Sequence, residues 1–315
     1  MKRIVLLLLI LSTGISCPAQ QKITYNVLEN AETHDYEIYI MDADGRNAKN
    51  ITNSKSVDWV YTSFGEKLYF LSDRNECSRC FYLYEMDSEG KNVRKITNYK
   101  LADSWFGSRK NGTEFIVKPV LSSSGPSEGK NNTFYIIDLQ GTIIEKVMID
   151  LTYVNDPTFS PDGKKIVFRG SKKTSPRELG FTDALYVKTL GEDSIKKITS
   201  HPDETKNIQW TGYLAAAPRW RDDGKISFAS KNNNNYDIYI VNPDGSELEA
   251  VTPWENNQVF HSWSPSGEMV FEASMNNQDG YELYKRTTNG KIIQLTNDTT
   301  EQYAPVFVET HLKKQ

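Results

Sequence analysis

Histidine and cysteine are scarce in this chain, four and three among 315 residues. Metal and thiol chemistry would therefore need those few copies to converge. Basic excess is missing as well. Lys and Arg number 37 against 41 Asp and Glu, a net charge of −4, and the positive residues are dispersed. A nucleic-acid or anionic-membrane surface needs a basic excess or stripe, and the sequence has neither. Beyond the first residues, no apolar run approaches membrane length.

The first residues are different. Met1-Lys2-Arg3 is a short basic start, residues 4–11 are unbroken apolar, and small residues follow. This pattern reads as a secretory signal peptide, too short to span a membrane. Residues 1–19 are assigned to it, with cleavage before Gln20, and residues 20–315 to one domain. A second reading treats Gly14-Ile15-Ser16-Cys17 as a lipobox, with Cys17 lipidated and Gly14 in the place where Leu is usual. The protein is thus expected to be periplasmic or secreted, or an outer-membrane lipoprotein, touching a membrane only through Cys17. Removing or lipidating Cys17 leaves Cys77 and Cys80, an even pair in an oxidising compartment. They are expected to form a disulfide that pins the loop they share.

A short pattern recurs six times: an apolar strand centred on Tyr, a polar turn ending in Gly, then an apolar pair and Thr. The tyrosines are Tyr39, Tyr84, Tyr135, Tyr186, Tyr239 and Tyr284. The glycines are Gly45, Gly90, Gly141, Gly191, Gly245 and Gly290, spaced 45–54 residues apart. Thr52, Thr97, Thr199, Thr252 and Thr296 close five of the copies. A repeat of this length built from strands and turns signals a β-propeller, one blade per repeat. The expected fold is all-β: six blades of four antiparallel strands, a to d. The fourth repeat shows the scheme: Pro157-Thr158-Phe159 in strand a, a Ser160-Pro161-Asp162-Gly163 turn, then residues 165–168 in strand b. Consecutive apolar residues such as Phe134-Tyr135-Ile136-Ile137 suit blades covered on both faces. The six tyrosines are read as core. The first repeat lacks its own strand a. Ala304-Pro305-Val306-Phe307 matches Asp156-Pro157-Thr158-Phe159, so residues 303–309 are expected to complete blade one beside residues 22–28.

Residues 160–168, residues 237–245 and the terminal apolar-Thr pairs resemble TolB-type propeller repeats over nearly the whole chain after residue 19. The TolB α/β domain is missing from the pattern. The resemblance implies a periplasmic, non-catalytic scaffold of the cell envelope. Similar repeats also occur in propellers attached to serine peptidases and in some oligosaccharide lyases, and fold alone does not choose between them.

The a–b and c–d turns are short. The b–c and d–a connections are long, as in residues 73–80, 118–132, 170–183 and 200–217, and in a meander they emerge on one face. Binding residues concentrate on such loops. The expected site is the channel mouth on that face, formed by Asp58, Trp59, Trp105, Asp156, Trp210, Tyr213, Arg219, His261 and Tyr303. Aromatics mixed with carboxylates and an Arg suit a peptide or sugar, so the expected partner is an envelope protein, peptide or glycan bound by a monomer. The alternative is a propeller lyase or hydrolase with its site at the same mouth. No motif supports that chemistry. Gly125-Pro126-Ser127-Glu128-Gly129 matches a hydrolase pattern in letters, but its Ser/Gly/Lys-rich surroundings lack the flanking strand and helix. His34, His201, His261 and His311 show no ligand spacing, so neither a metal nor another cofactor is expected. Asp42-Ala43-Asp44-Gly45 and Asn242-Pro243-Asp244-Gly245 lack the other ligands of a calcium loop and read as hairpin turns.

Overall fold

The computed structural model describes residues 20–121, 132–200, 212–232, 235–252, 256–276 and 279–310. Among these, strands pair into six four-stranded antiparallel sheets arranged as a ring. Residues 1–19, with Cys17, and residues 125–129, His201, Trp210 and His311 lie outside the described residues.

Blade one contains both ends of the described chain. Its strand a is Gln302–Thr310, and its strand b is Gln20–Asn30. Ile23 pairs with Phe307 and Lys22 with Val308. Strand c is Asp35–Asp42, on the other side of strand b. The expected closure by the C-terminal strand is therefore present.

The repeated residues each have a physical reason. Strand d is only two or three residues long in five blades, as at Lys49–Asn50 and Arg94–Lys95. It stops before it can pair the whole of strand c. The repeated Thr supplies the missing acceptor. The Ile38 amide donates to Thr52 Oγ1 at 2.9 Å, Leu83 to Thr97 at 3.0 Å, Leu185 to Thr199 at 2.9 Å and Leu283 to Thr296 at 2.9 Å. An unpaired buried amide would be costly, so the Thr is part of the ladder.

The repeated Tyr sits opposite an aromatic of strand b. Phe70 stacks on Tyr84, Phe168 on Tyr186, Phe228 on Tyr239 and Phe271 on Tyr284, with ring centroids 5.6–5.9 Å apart. Such cross-strand pairs stabilise a sheet locally. Tyr84, Tyr186 and Tyr284 are buried, whereas Tyr39, Tyr135 and Tyr239 are only partly covered. The core reading thus holds fully for three of the six.

The repeated Gly ends the c–d turn in the left-handed region, at φ +78° for Gly90 and +83° for Gly191. At Gly90 there is a second requirement. A Cβ placed there would lie 2.0 Å from the Ile51 carbonyl oxygen of the preceding blade. The turn of one blade rests on the backbone of its neighbour.

Inner strands pack around the axis, with strand a of blade six against strand a of blade one and so on round much of the ring. Five of the six inner strands pair irregularly; that of blade three, Gly107–Arg109, does not. Register shifts occur between Val60 and Thr62, Asn155 and Thr158, Ala216 and Arg219, and Gln258 and His261. In three blades the bulge carries a left-handed residue followed by Pro: Asp156 at φ +56°, Ala217 at +46° and Ala304 at +50°. A bulge re-aims the side chains around it, and here it decides which residues face the channel.

Candidate functional site

A cavity of about 370 Å³ opens at the axis, and all six blades contribute to its wall. Arg79 reaches it from a b–c connection, Asp103 and Ser104 from a d–a connection, and Trp59, Trp105, Asp156 and Phe260 from the inner strands or the residues leading into them. The cavity therefore lies on the face that carries the long connections.

One side of the cavity is aromatic. Tyr36 and Trp59 have centroids 5.0 Å apart, Tyr61 and Trp105 are 4.9 Å apart, and Trp105 and Phe260 5.1 Å. Tyr303 stacks behind Trp59 at 5.9 Å. Buried aromatic contacts of this kind hold large apolar surface in fixed orientation. The opposite side is ionic. Arg169 Nε lies 3.0 Å from Asp156 Oδ2, and its Nη2 donates to the Tyr153 hydroxyl at 2.9 Å. The guanidinium also faces the Tyr213 ring at 4.5 Å. Burial works against its charge, but Asp156, Tyr153 and Asp183 outweigh burial and hold Arg169 firmly protonated.

Asp156 is fixed from the neighbouring blade. Its Oδ1 accepts from the Trp105 amide at 3.0 Å, and its own amide donates to Ser104 Oγ at 2.9 Å. Asp103 accepts from the Tyr61 hydroxyl at 2.5 Å and faces Arg79 at 3.6 Å. Burial, reinforced by Asp103, pushes the Tyr61 hydroxyl well above its ordinary pKa, so it stays protonated and donating. Cys77 and Cys80 form a disulfide, and Arg79 is carried on the loop it closes.

The floor is built by contacts across the axis. Arg219 belongs to blade five, yet its Nη2 donates at 3.1 Å to the carbonyl of Tyr61 in blade two, three blades away. Its guanidinium lies 4.2 Å from the Trp105 ring centre. Trp105 in turn leads into blade three, and its partner Phe260 is in blade six, on the far side of the ring.

Of the residues expected at the mouth, Trp59, Trp105, Asp156 and Tyr213 line the cavity. Arg219 and Tyr303 lie directly behind that wall, against Trp105 and Trp59. Asp58 is fully buried, with its Oδ2 2.6 Å from Arg74 and 2.9 Å from Ser54 Oγ, and it does not line the cavity. His261 is fully buried between blades five and six, where Ser227 Oγ sits 2.8 Å from its Nε2. Asp58 is turned away by the ordinary alternation next to Trp59, whereas His261 follows the bulge between Gln258 and His261.

The Ser227–His261 pair has the spacing of a nucleophile and base but not the setting. Ser227 is also fully buried and already accepts from Trp263 Nε1 at 2.9 Å. Burial, with the positive charge of Arg219, pushes the His261 pKa down to about 3. It is a neutral packing histidine that caps the Ser hydroxyl. Among the described residues, no group of three His, Cys, Asp or Glu is placed to hold a metal ion.

Tyr36, Tyr61, Arg79, Asp103, Tyr153, Arg169 and Phe260 are cavity residues that sequence reasoning did not single out. Arg169 had a signal. It follows Val167-Phe168 at the end of strand b, where the second and fifth blades place Leu71 and Ala229. A charged residue in a repeated core position is a mark of special use.

No protein-family model matches the chain. A TolB homolog of Chlorobium luteolum is 28% identical over 116 residues, which spans 36% of this chain and 22% of that protein. The solved TolB of Acinetobacter baumannii superposes with a TM-score of 0.65 at 20% identity, over 93% of this chain and 68% of that one. The fold is that of a TolB-like six-bladed propeller. TolB-like architecture is shared with proteins of other kinds. The tricorn protease aligns with a TM-score of 0.60 over 88% of this chain and 26% of its own. A chain of a nidogen/laminin complex aligns at 0.61 with 7% identity, over 91% of this chain and 98% of its own.

Proposed function

We propose that this protein is a periplasmic, non-catalytic binding module of the bacterial envelope, and that its cavity receives a peptide segment of a partner protein. The resemblance to TolB-like propellers supports the general role. The observation that carries the reading is the composition of the cavity. An arc of aromatic rings faces an ionic cluster whose charges are already matched, Arg169 with Asp156 and Arg79 with Asp103. Rigid aromatics with fixed donors and acceptors recognise a ligand without transforming it. The Ser and His that could have formed a nucleophile pair are sealed in the core.

The test is capture from envelope extract by the immobilised protein, comparing wild type with a Trp59→Ala/Tyr213→Ala variant. Both side chains line the cavity, on its aromatic and ionic sides respectively. The expected result is a captured envelope protein whose affinity falls at least about tenfold in the variant, as for central aromatic anchors. Equal capture by both forms, with equal melting temperatures, would remove the cavity from the function.

A further inference from the structure

One blade departs from the repeat at its outer edge. In five blades strand d is two or three residues long and stops short of the repeated Thr. In blade three it is Ile143–Met148, six residues. Met148 stands in the Thr position, because Lys146 pairs with Tyr135 as Lys197 pairs with Tyr186. The strand stays in register past that point. The Ile149 amide donates to the Asn132 carbonyl at 2.9 Å, and Asn132 Nδ2 donates to the Ile149 carbonyl at 2.7 Å.

The Ile149 bond fixes where the strand's other polar groups point. Closely bonded pairs alternate along an antiparallel ladder, so Val147 and Glu145 also face strand c. Lys146 and Met148 turn their backbone N–H and C=O groups outwards, at the edge of the sheet, where no strand of the described residues pairs with them. The side chains along this edge are apolar and open, with Met148 71% exposed and Ile144 49%. Proteins ordinarily guard such an edge with a charged side chain. Here the Lys146 ammonium is folded back over its own sheet, 5.5 Å from the Tyr135 ring centre. Neither Lys146 nor Glu145 has an ion-pair partner among the described residues.

A second copy of the chain does not fit this edge. Two such edges related by a two-fold axis bond only through their outward-facing residues. The two registers of longest overlap then set Lys146 against Lys146, or Glu145 against Glu145, and like charges directly opposite are unfavourable. The register that would match Glu145 with Lys146 needs backbone groups already bonded to strand c.

We infer that the outer edge of blade three is a strand-addition site, which takes an extended segment of a partner protein as a fifth, antiparallel strand. Opposed residues share a face, so the chemistry of the segment follows from the strand it joins. An acidic residue lies across from Lys146, a basic one across from Glu145, and apolar ones across from Met148 and Ile144. From its N-terminus the segment therefore reads apolar, any, acidic, basic, apolar. This site is on the rim of the ring and does not depend on the cavity.

The experiment titrates the intact protein, labelled with nitrogen-15, with the capped peptide Thr-Val-Thr-Glu-Arg-Val-Thr. The amide signals of residues 144–148 should move saturably. N-methylation of the peptide's Glu removes the N–H that meets the Lys146 carbonyl, and should weaken binding about tenfold, as for one lost hydrogen bond. Exchanging the peptide's Glu and Arg should weaken it several-fold. A Glu145→Lys/Lys146→Glu variant, unchanged in composition, should reverse that preference. Met148→Pro removes an outward N–H and leaves the ladder intact, and should also weaken binding. The Trp59→Ala/Tyr213→Ala variant should bind this peptide as the wild type does, which separates the edge from the cavity. No saturable movement of residues 144–148, equal affinity for the N-methylated peptide, or indifference to the charge order overturns the inference. So does a dimer in sedimentation equilibrium that Met148→Pro abolishes, since it would assign the edge to a second copy. The wild-type arms decide the matter even if a variant does not fold.

Discussion

Glu272 accepts a 2.7 Å hydrogen bond from the amide of Ala304, joining blade six to the strand that closes blade one. The contact lies at the seam where the two ends of the described chain meet. Ala304 is left-handed, at φ +50°, and its amide would have no ladder partner without the carboxyl group.

That seam is sensitive to pH. Burial raises the Glu272 pKa from 4.5 to about 8, against the opposing effect of the amides of Ala304 and Phe260. Folding therefore favours the protonated acid. Its contribution is fully present below pH 4.5 and is lost as pH rises towards about 8. Glu272→Gln keeps the acceptor and removes the titration. Chemical denaturation from pH 5 to 9 should show a smaller loss of stability in the variant than in the wild type, with the two nearly equal at pH 5. Parallel curves would rule out Glu272 as the titrating group.

The repeated turn glycines should not be equivalent. Gly90 and Gly191 have nearly the same φ, +78° and +83°, so an alanine incurs the same left-handed cost of about 1–2 kcal/mol at each. Only Gly90 abuts a neighbour, the Ile51 carbonyl, whereas Gly191 has nothing within 4 Å. Gly90→Ala should cost about 1–3 kcal/mol more than Gly191→Ala, the range for overpacking. Urea denaturation of the two variants measures the difference, and equal losses would mean that the blades do not bear on each other through this turn.

Removing residues 303–315 should destabilise the whole ring. The deletion takes away Val306, Phe307 and Val308 from the core, the acceptor for Thr24 Oγ1, and the hydrogen bond from Ser63 in blade two to the Phe307 carbonyl. It also leaves Gln20–Asn30 as an open edge. Calorimetry should show a lower melting temperature for the entire transition. An unchanged transition would show that closure contributes little.

The parts of the fold legible in the sequence are those in which each repeat solves the same local problem. Tyr84 needs an aromatic across the strand, Gly90 a left-handed turn, and Thr97 an amide to satisfy, and each recurs with blade spacing. The closing strand was legible because Ala304-Pro305 matches Asp156-Pro157. The cavity was legible in outline, since the long connections mark its face and Trp59, Trp105, Asp156 and Tyr213 are in its wall. Its details were not. A bulge inserts a residue without leaving a periodic trace, so His261 was counted to the mouth although it is packed against Ser227. Tyr61 and Arg219 meet only because blades two and five oppose each other across the axis, a relation between residues 158 positions apart.

The bridge between Cys77 and Cys80 bears on how this molecule should be handled at the bench. It fastens the stretch that presents Arg79 to the cavity and to Asp103. Material prepared with strong reductants would keep its wheel of sheets, which the bridge does not join, yet would carry a slackened rim. On the proposed binding role, such preparations should bind more weakly than oxidised ones, so oxidising export during expression is the appropriate starting point.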